Sequence, residues 1–364
     1  MFYEMPTLAG CSAPQRPTPV LRIGVPPILE PVFADAPESA GINFSVVPLR
    51  PYSRAHDLEV LLFSTRSQAF DGIVVQARFI PLFSKWAQPF PQDQARLLNP
   101  LLGADGQGKG GLTALPITID APVLIYRADL WKQYKLPPPR NLAALREDML
   151  NLRSWEKDLS HPVASSVQEN VLFWSLAYSY AGQALHHVYR YPESHVLGFM
   201  AEFGLRTEPI QQVKNQLQSG QTAVVFCMAS DVSTILGKDA GSKTTLAVAA
   251  LPARKSPIAL NNGWCLMAYG LEGHEQGHLE RLLGKGFQQW LSKRGYFPAA
   301  KEAEPPRGAT SKVLSHYSLA PSPLGWEDEI IVGQAIQDAL AGVVDPEEAL
   351  RRAEARISAR EDKP

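Results

Sequence analysis

Hydrophobic positions in this chain fall into short runs separated by prolines and glycines. Leu21–Val25 and Ile42–Leu49 are apolar runs of strand length, and Ile73–Gln76 is a third. Between Asp57 and Phe70 the spacing of Leu58, Val60, Leu61 and Leu62 is that of a helix. Strand–helix–strand order at this spacing predicts parallel pairing in an α/β sheet. The most informative stretch is 111–139, GLTALPITIDAPVLIYRADLWKQYKLPPP. Its β-type run, Leu112–Tyr126, carries polar groups and the prolines Pro116 and Pro122 in its middle, then passes into a helical pattern around Asp129–Tyr134. Proline removes a ladder donor and is tolerated only at edges, bulges and strand ends. The strand is therefore expected to leave one sheet and enter another near Thr118–Pro122, linking two lobes with a cleft where they meet.

From Asn141 onward the pattern is helical. Val167–Tyr180 is apolar almost all round and predicts a core helix of the second lobe; Gln212–Gln218 is a short helix that Gly220 ends in a left-handed turn. Ala223–Met228 and Leu246–Leu251 read as buried strands, and Leu260–Tyr269 as a return to the first lobe. Leu279–Ser292, Asp328–Ala341 and Pro346–Ile357 read as helices, the last opened by Asp345 as cap with Pro346 at the first position.

Composition narrows the classes. A chain of 364 residues exceeds what one core usually supports, about 250–300 residues, so two domains are expected. With 20% charged residues and a net charge of −1 there is no basic footprint for nucleic acid. No apolar segment approaches the ~20 residues needed to span a bilayer. An odd cysteine count argues against a disulfide framework; Cys227 and Cys265 sit in apolar runs as buried thiols without metal-site spacing, and no cofactor or metal is expected. The glycine-rich GADGQGKGG is no phosphate cradle, because Lys109 is followed by Gly-Gly where the motif needs Ser or Thr. His161, His186, His187 and His195 belong to no HExxH motif and read as surface histidines, and no GxSxG elbow exists. Acidic residues at 326–329 and 345–348 read as helix-start charges. No catalytic residue is assigned.

The run ALP…APVLIYRADLW…LPPP resembles the hinge region of extracellular solute-binding proteins of ABC importers, of the maltose-binding-protein type. AGINFSVVPLR (40–50), FDGIVVQARFIPLFSKWAQPF (70–90), VKNQLQSGQTAVVFCMAS (213–230), LAVAALPARKSPIALNNGWCLMAYG (246–270), KGFQQWLSKRGYFPAAKEA (285–303) and DPEEALRRAEARI (345–357) resemble successive segments of that family in colinear order. The resemblance implies an α/β, two-lobed periplasmic-binding-protein fold of type II, with parallel-rich sheets flanked by helices and three hinge crossings near 117–121, 252–257 and 297–300. Lobe one would comprise 18–118 with 258–297, and lobe two 119–257 with 298–364. Residues 1–17 would be a tether: Leu8-Ala9-Gly10-Cys11 resembles a lipobox, which implies lipidation at Cys11 and an extracytoplasmic protein held at a membrane surface. The preceding MFYEMPT lacks a basic and an apolar signal region, so a start assigned too far downstream is the expectation.

Ligands of open α/β sheets sit outside the carboxyl ends of the strands. Here those ends are Gln76–Phe79, Met228–Asp231 and Asn261–Trp264, with the hinge pair Thr118 and Asp120. Sugar sites combine aromatic platforms with amide, carboxylate and guanidinium partners for hydroxyls. The candidate aromatics are Phe79, Trp174, Tyr178, Trp264 and Tyr296, and the candidate polar groups Gln76, Arg78, Thr118, Asp120, Ser230, Asn261 and Asn262. Competing structural readings stand beside several of them. Trp174 and Tyr178, four residues apart, suit one core face of a helix; Asp120 suits a hinge brace; Arg78 suits a surface ion pair or an anionic ligand. The family implies a monomeric, non-enzymatic substrate-binding component that captures a small solute, a sugar first and a glycosylated or phosphorylated polyol next, by hinge closure, and presents it to the ABC permease subunits. The alternatives are a protein of the same fold serving a signalling receptor, and a cleft hydrolase, which needs a carboxylate pair.

Overall fold

A computed structural model describes residues 20–36, 44–48, 70–99, 107–108, 111–182, 191–237, 245–268, 279–320, 322 and 324–361. The 1–17 tail with Cys11, the helix read between Asp57 and Phe70, most of GADGQGKGG, and His186 and His187 lie outside the described residues.

Two mixed sheets organise the chain. The first has the spatial order Phe44–Pro48, Leu21–Val25, Gly72–Gln76, Trp264–Ala268, Leu115–Pro116. Leu21–Val25 pairs parallel with both neighbours, as the strand–helix–strand order predicts, while Trp264–Ala268 runs antiparallel to its two. The second has the order Leu246–Ala249, Pro122–Arg127, Val224–Met228, Val163–Ser165. Pro122–Arg127 is antiparallel to both neighbours, and Val224–Met228 is parallel to Val163–Ser165. Direction follows from entry. Pro122 starts beside Met228 and Trp264 starts beside Gln76, each at the edge where its neighbour ends, so a strand arriving there must run in reverse.

Gly72–Gln76 and Trp264–Ala268 are covered on both faces, which is why they read as unbroken apolar runs. Val74, Leu266 and Ala268 join the main core, whereas Ile73, Val75, Cys265 and Met267 pack in a smaller cluster with Phe70, Ile80 and Phe83. Cys227 and Cys265 are buried free thiols. Leu246–Ala249 is half-buried at its sheet edge, not the fully buried strand expected.

The core helix is Glu169–Ala181, ended by Gly182 at φ 73°. Its two buried serines are fixed to one partner strand. Ser175 Oγ accepts from the Leu260 amide (3.1 Å), and Ser179 Oγ accepts from the Ile258 amide (2.9 Å) and donates to the Ile258 carbonyl (2.7 Å). Ile258–Leu260 therefore stays on this helix, pairs with Ser318–Ala320, and steps into the first sheet only at Asn261–Trp264. That step lies beyond the crossing expected at 252–257, because the serines retain the strand.

The strand Leu112–Tyr126 divides at its prolines as predicted. Leu115–Pro116 belongs to the first sheet, Thr118–Ile119 pairs with Phe297–Pro298, and Pro122–Arg127 belongs to the second. The Ile117 amide donates to the Trp264 carbonyl (2.7 Å) and the Asn262 amide to the Asp120 carbonyl (2.9 Å). Three chain segments thus cross at one place. No helix among the described residues is long and apolar enough to cross a membrane.

Gly263 sits inside this crossing. A Cβ there would lie on the Thr118 carbonyl and 3.0 Å from the Ile119 Cα, and backbone cannot swing away as a side chain can. Gly263→Ala is expected to cost about 2 kcal/mol or more, in the range of severe strain and overpacking, read as a fall in urea midpoint. A midpoint equal to that of the parent protein would show that the crossing is not close-packed.

Candidate functional site

The carboxyl-end rule selects one edge of each sheet, and these edges face each other across the crossing. From the first sheet come Gln76, Arg78 and Phe79, with Trp264 directly opposite Gln76 in the antiparallel register and so on the same face. From the second come Ser230 and Asp231 after Val224–Met228, and Gln168 and Asn170 after Val163–Ser165.

Arg78 joins the two sides. Its guanidinium donates to Gln76 Oε1 (3.2 Å) on its own side, and to Gln168 Oε1 (2.7 Å) and Asn170 Oδ1 (3.3 Å) on the other. The same group lies over the Phe79 ring at 4.6 Å from its centroid, a cation–π contact. Only 8% of Arg78 is exposed. Side-chain amides and an aromatic face thus surround its charge, where a surface ion pair was one expectation. Glu329, read from sequence as a helix-start charge, is in fact only 6% exposed. Burial pushes its carboxyl up, while the nearby Arg78 charge and the Ser322 hydroxyl hold it down.

Several predicted residues spend their side chains on the crossing itself. Thr118 Oγ1 accepts from the Trp264 amide (3.0 Å) and Asn261 Oδ1 accepts from the Gly263 amide (3.0 Å); both residues are buried. Asp120 accepts from the Ser230 hydroxyl (2.6 Å), the Ser230 amide (3.2 Å) and the Ala121 amide (3.0 Å). Asn262, Trp264 and Tyr296 are half-buried along the same crossing. Trp174 and Tyr178 lie in the core, with Trp174 Nε1 buried and without a hydrogen-bond partner among the described residues. Each is 1% exposed, their centroids lie 6.1 Å apart, and Phe173 meets Trp174 edge-on. The helix is apolar all round and the core takes both.

Gln168, Asn170 and Glu329 were missed as site residues, and Asp231 was noted only as part of a strand end. For Gln168 and Asn170 a signal existed: they follow a strand at its carboxyl end, the rule that found Gln76 and Ser230. Glu329 had none, because a glutamate in a helix's first turn looks solvated.

The second-sheet wall is acidic. Burial pushes the Asp120 carboxyl up to about 7, and the Asp231 charge adds to this against the lowering hydrogen bonds from Ser230 and Ala121. Burial also raises Asp231. The Tyr296 hydroxyl is raised by burial, then by the charges of Asp120 and Asp231; the next residue, Phe297, pairs with Ile119, the neighbour of Asp120. No group of three or more metal-ligating side chains is present among the described residues. A carboxyl raised on folding binds its proton more tightly in the folded state. Stability therefore falls as pH climbs from the ordinary carboxylate range through about 7, then levels. Thermal unfolding should show a lower melting temperature at pH 8 than at pH 5, and Asp120→Asn should shrink that difference. An unchanged difference would mean the Asp120 proton is not linked to folding.

No protein-family model and no curated protein matches the chain. Solved structures do. Maltose-bound MalE3 of T. maritima superposes with a TM-score of 0.76 at 17% identity, covering 93% of this chain and 98% of that one. The sugar-binding protein MalE of Xanthomonas citri gives 0.75 at 16% identity over 93% and 96%. An ABC transporter solute-binding protein of Thermotoga lettingae, bound with alpha-D-tagatose, gives 0.71 at 15% identity over 93% and 98%. The chain has the two-lobed α/β fold of MalE-like solute-binding proteins.

Proposed function

We propose that this protein is the substrate-binding component of an ABC importer, capturing a sugar by closing two lobes about the crossing. The observation that carries the reading is Arg78, which bonds its own wall and the opposite one at once. Such contacts exist only when the walls are close, so closure gains energy that the open form lacks, and a solute bonding both walls adds to it. The MalE-like neighbours, two of them described with a bound sugar, support the ligand class. Within the reading, lobe one is 18–118 with 258–297 and lobe two 119–257 with 298–364, save that Ile258–Leu260 stays with the core helix of lobe two. Gln76, Phe79, Trp264 and Tyr296 serve as amide and ring contacts for the sugar. The protein works as an extracytoplasmic monomer tethered through a lipid on Cys11 and delivers its solute to permease subunits.

A cleft hydrolase is the second reading, and the Asp120–Asp231 neighbourhood favours it. Against it, both Asp120 oxygens already accept hydrogen bonds from Ser230 and Ala121. Incubation with a bound sugar should return that sugar unchanged; release of a smaller sugar would establish the hydrolase instead.

Thermal-shift measurement against a library of sugars and polyols tests the main reading. A solute at 100 times its dissociation constant adds about 2.7 kcal/mol. Trp264→Ala should abolish the shift and leave the unliganded melting temperature close to the parent value. A library without a single shift would contradict the reading.

A further inference from the structure

Away from the cleft, a cavity of about 950 Å³ opens beside the second sheet. Its walls are the end of the edge strand Leu246–Ala249 with the loop that follows, the start of the helix Leu142–Trp155, and the far end of the core helix. Asn170, at the near end of the core helix, bonds Arg78 in the cleft, whereas Tyr180 lines the cavity about 15 Å further along. Cleft and cavity are thus separate places. Three cations surround the cavity: Arg140, Arg254 and Lys255. Their side chains make no hydrogen bond or ion pair among the described residues, and no acidic residue among those described lines the hollow. Elsewhere the chain pairs its arginines, Arg127 with Asp129, Arg146 with Glu202, Arg294 with Asp35 and Arg360 with Asp328. The backbone ties the three cations together. The Ala253 amide donates to the Arg140 carbonyl (2.8 Å), and the Arg254 amide to the Ser179 carbonyl (3.0 Å). Like charges gathered about one hollow repel one another, and an anion inside relieves them. Pro139, Tyr180 and Pro257 give the same hollow an apolar side.

We propose that this cavity is a second binding site, for a small organic phosphate monoester held by Arg140, Arg254 and Lys255, with its carbon body against Tyr180 and the prolines. A phosphate monoester carries a charge of about −1.5 to −2 at neutral pH, and guanidinium forks bond its oxygens in pairs. Three cations answer such a group better than they answer one carboxylate. The volume falls among small-molecule pockets, roughly 300–1,000 Å³, and a hollow of that size suits a small molecule over an acidic protein face. The site stands whether or not the cleft takes a sugar.

Calorimetric titration at neutral pH and low salt with phenyl phosphate, phenol and inorganic phosphate tests it. Phenyl phosphate should bind about tenfold tighter or more than either of its halves, since charge-assisted hydrogen bonds and apolar burial then act together. Added salt should weaken that binding. Arg140→Ala combined with Arg254→Ala should weaken it about tenfold or more. Both side chains are exposed, so the circular dichroism of the double variant should match the parent's. Trp264→Ala, in the cleft, should leave phenyl phosphate binding as it is, and the sugar-induced thermal shift reads the cleft separately. No binding of phenyl phosphate, inorganic phosphate binding as tightly, or binding that survives the loss of both arginines would overturn the proposal. Phosphatidylglycerol vesicles that retain the parent and not the double variant, with no phenyl phosphate bound, would overturn it in favour of a membrane-facing surface.

Discussion

Where residues 117–120, 261–264 and 297–299 pass one another, Gly263 lies too close to the Thr118 and Ile119 backbone to carry a side chain. The Ile117 and Asn262 amides bond across the gap, Thr118 pairs with Pro298, and Gln288 Nε2 donates to the Ile117 carbonyl (3.1 Å). Both sheets hang from this point, and its location dictates their topology. A strand leaving the crossing enters its sheet at the edge where the neighbours end. Pro122–Arg127 and Trp264–Ala268 therefore run in reverse, and the carboxyl ends of the remaining strands converge on one cleft. The site follows from the hinge, not the other way round.

The crossing was legible because it breaks a rule. Prolines and an aspartate inside an apolar run cannot sit in the middle of a sheet, so Leu112–Tyr126 announces its own division. The position of the second crossing was less legible. Ser175 and Ser179 look like incidental small residues in an apolar helix, yet they hold Ile258–Leu260 and delay the step to Asn261. Trp174 and Tyr178 show a different limit: spacing places two rings on one helix face, and it does not say whether that face meets protein or solute. Gln168, Asn170 and Glu329 occupy first turns of helices, where polar residues are ordinary, and only the opposing wall makes them part of a site.

Electrostatics divides the cleft in two. On one side the Arg78 guanidinium is shared among amides, stacked on Phe79 and faced by Glu329, a cation already accommodated. On the other, burial raises both Asp120 and Asp231, and the Asp231 charge adds to the rise of Asp120. Asp120 has a structural duty to Ser230; Asp231 has none.

The account stands on two bodies joined at one crossing, with Arg78 as their clasp. Small-angle scattering of the solute-free protein, compared with that of Arg78→Ala, tests this most directly. Loss of the clasp should increase the radius of gyration while the circular dichroism spectrum stays the same. Superimposable scattering curves from the two proteins would contradict the account, because walls that stay together without Arg78 are not held by it.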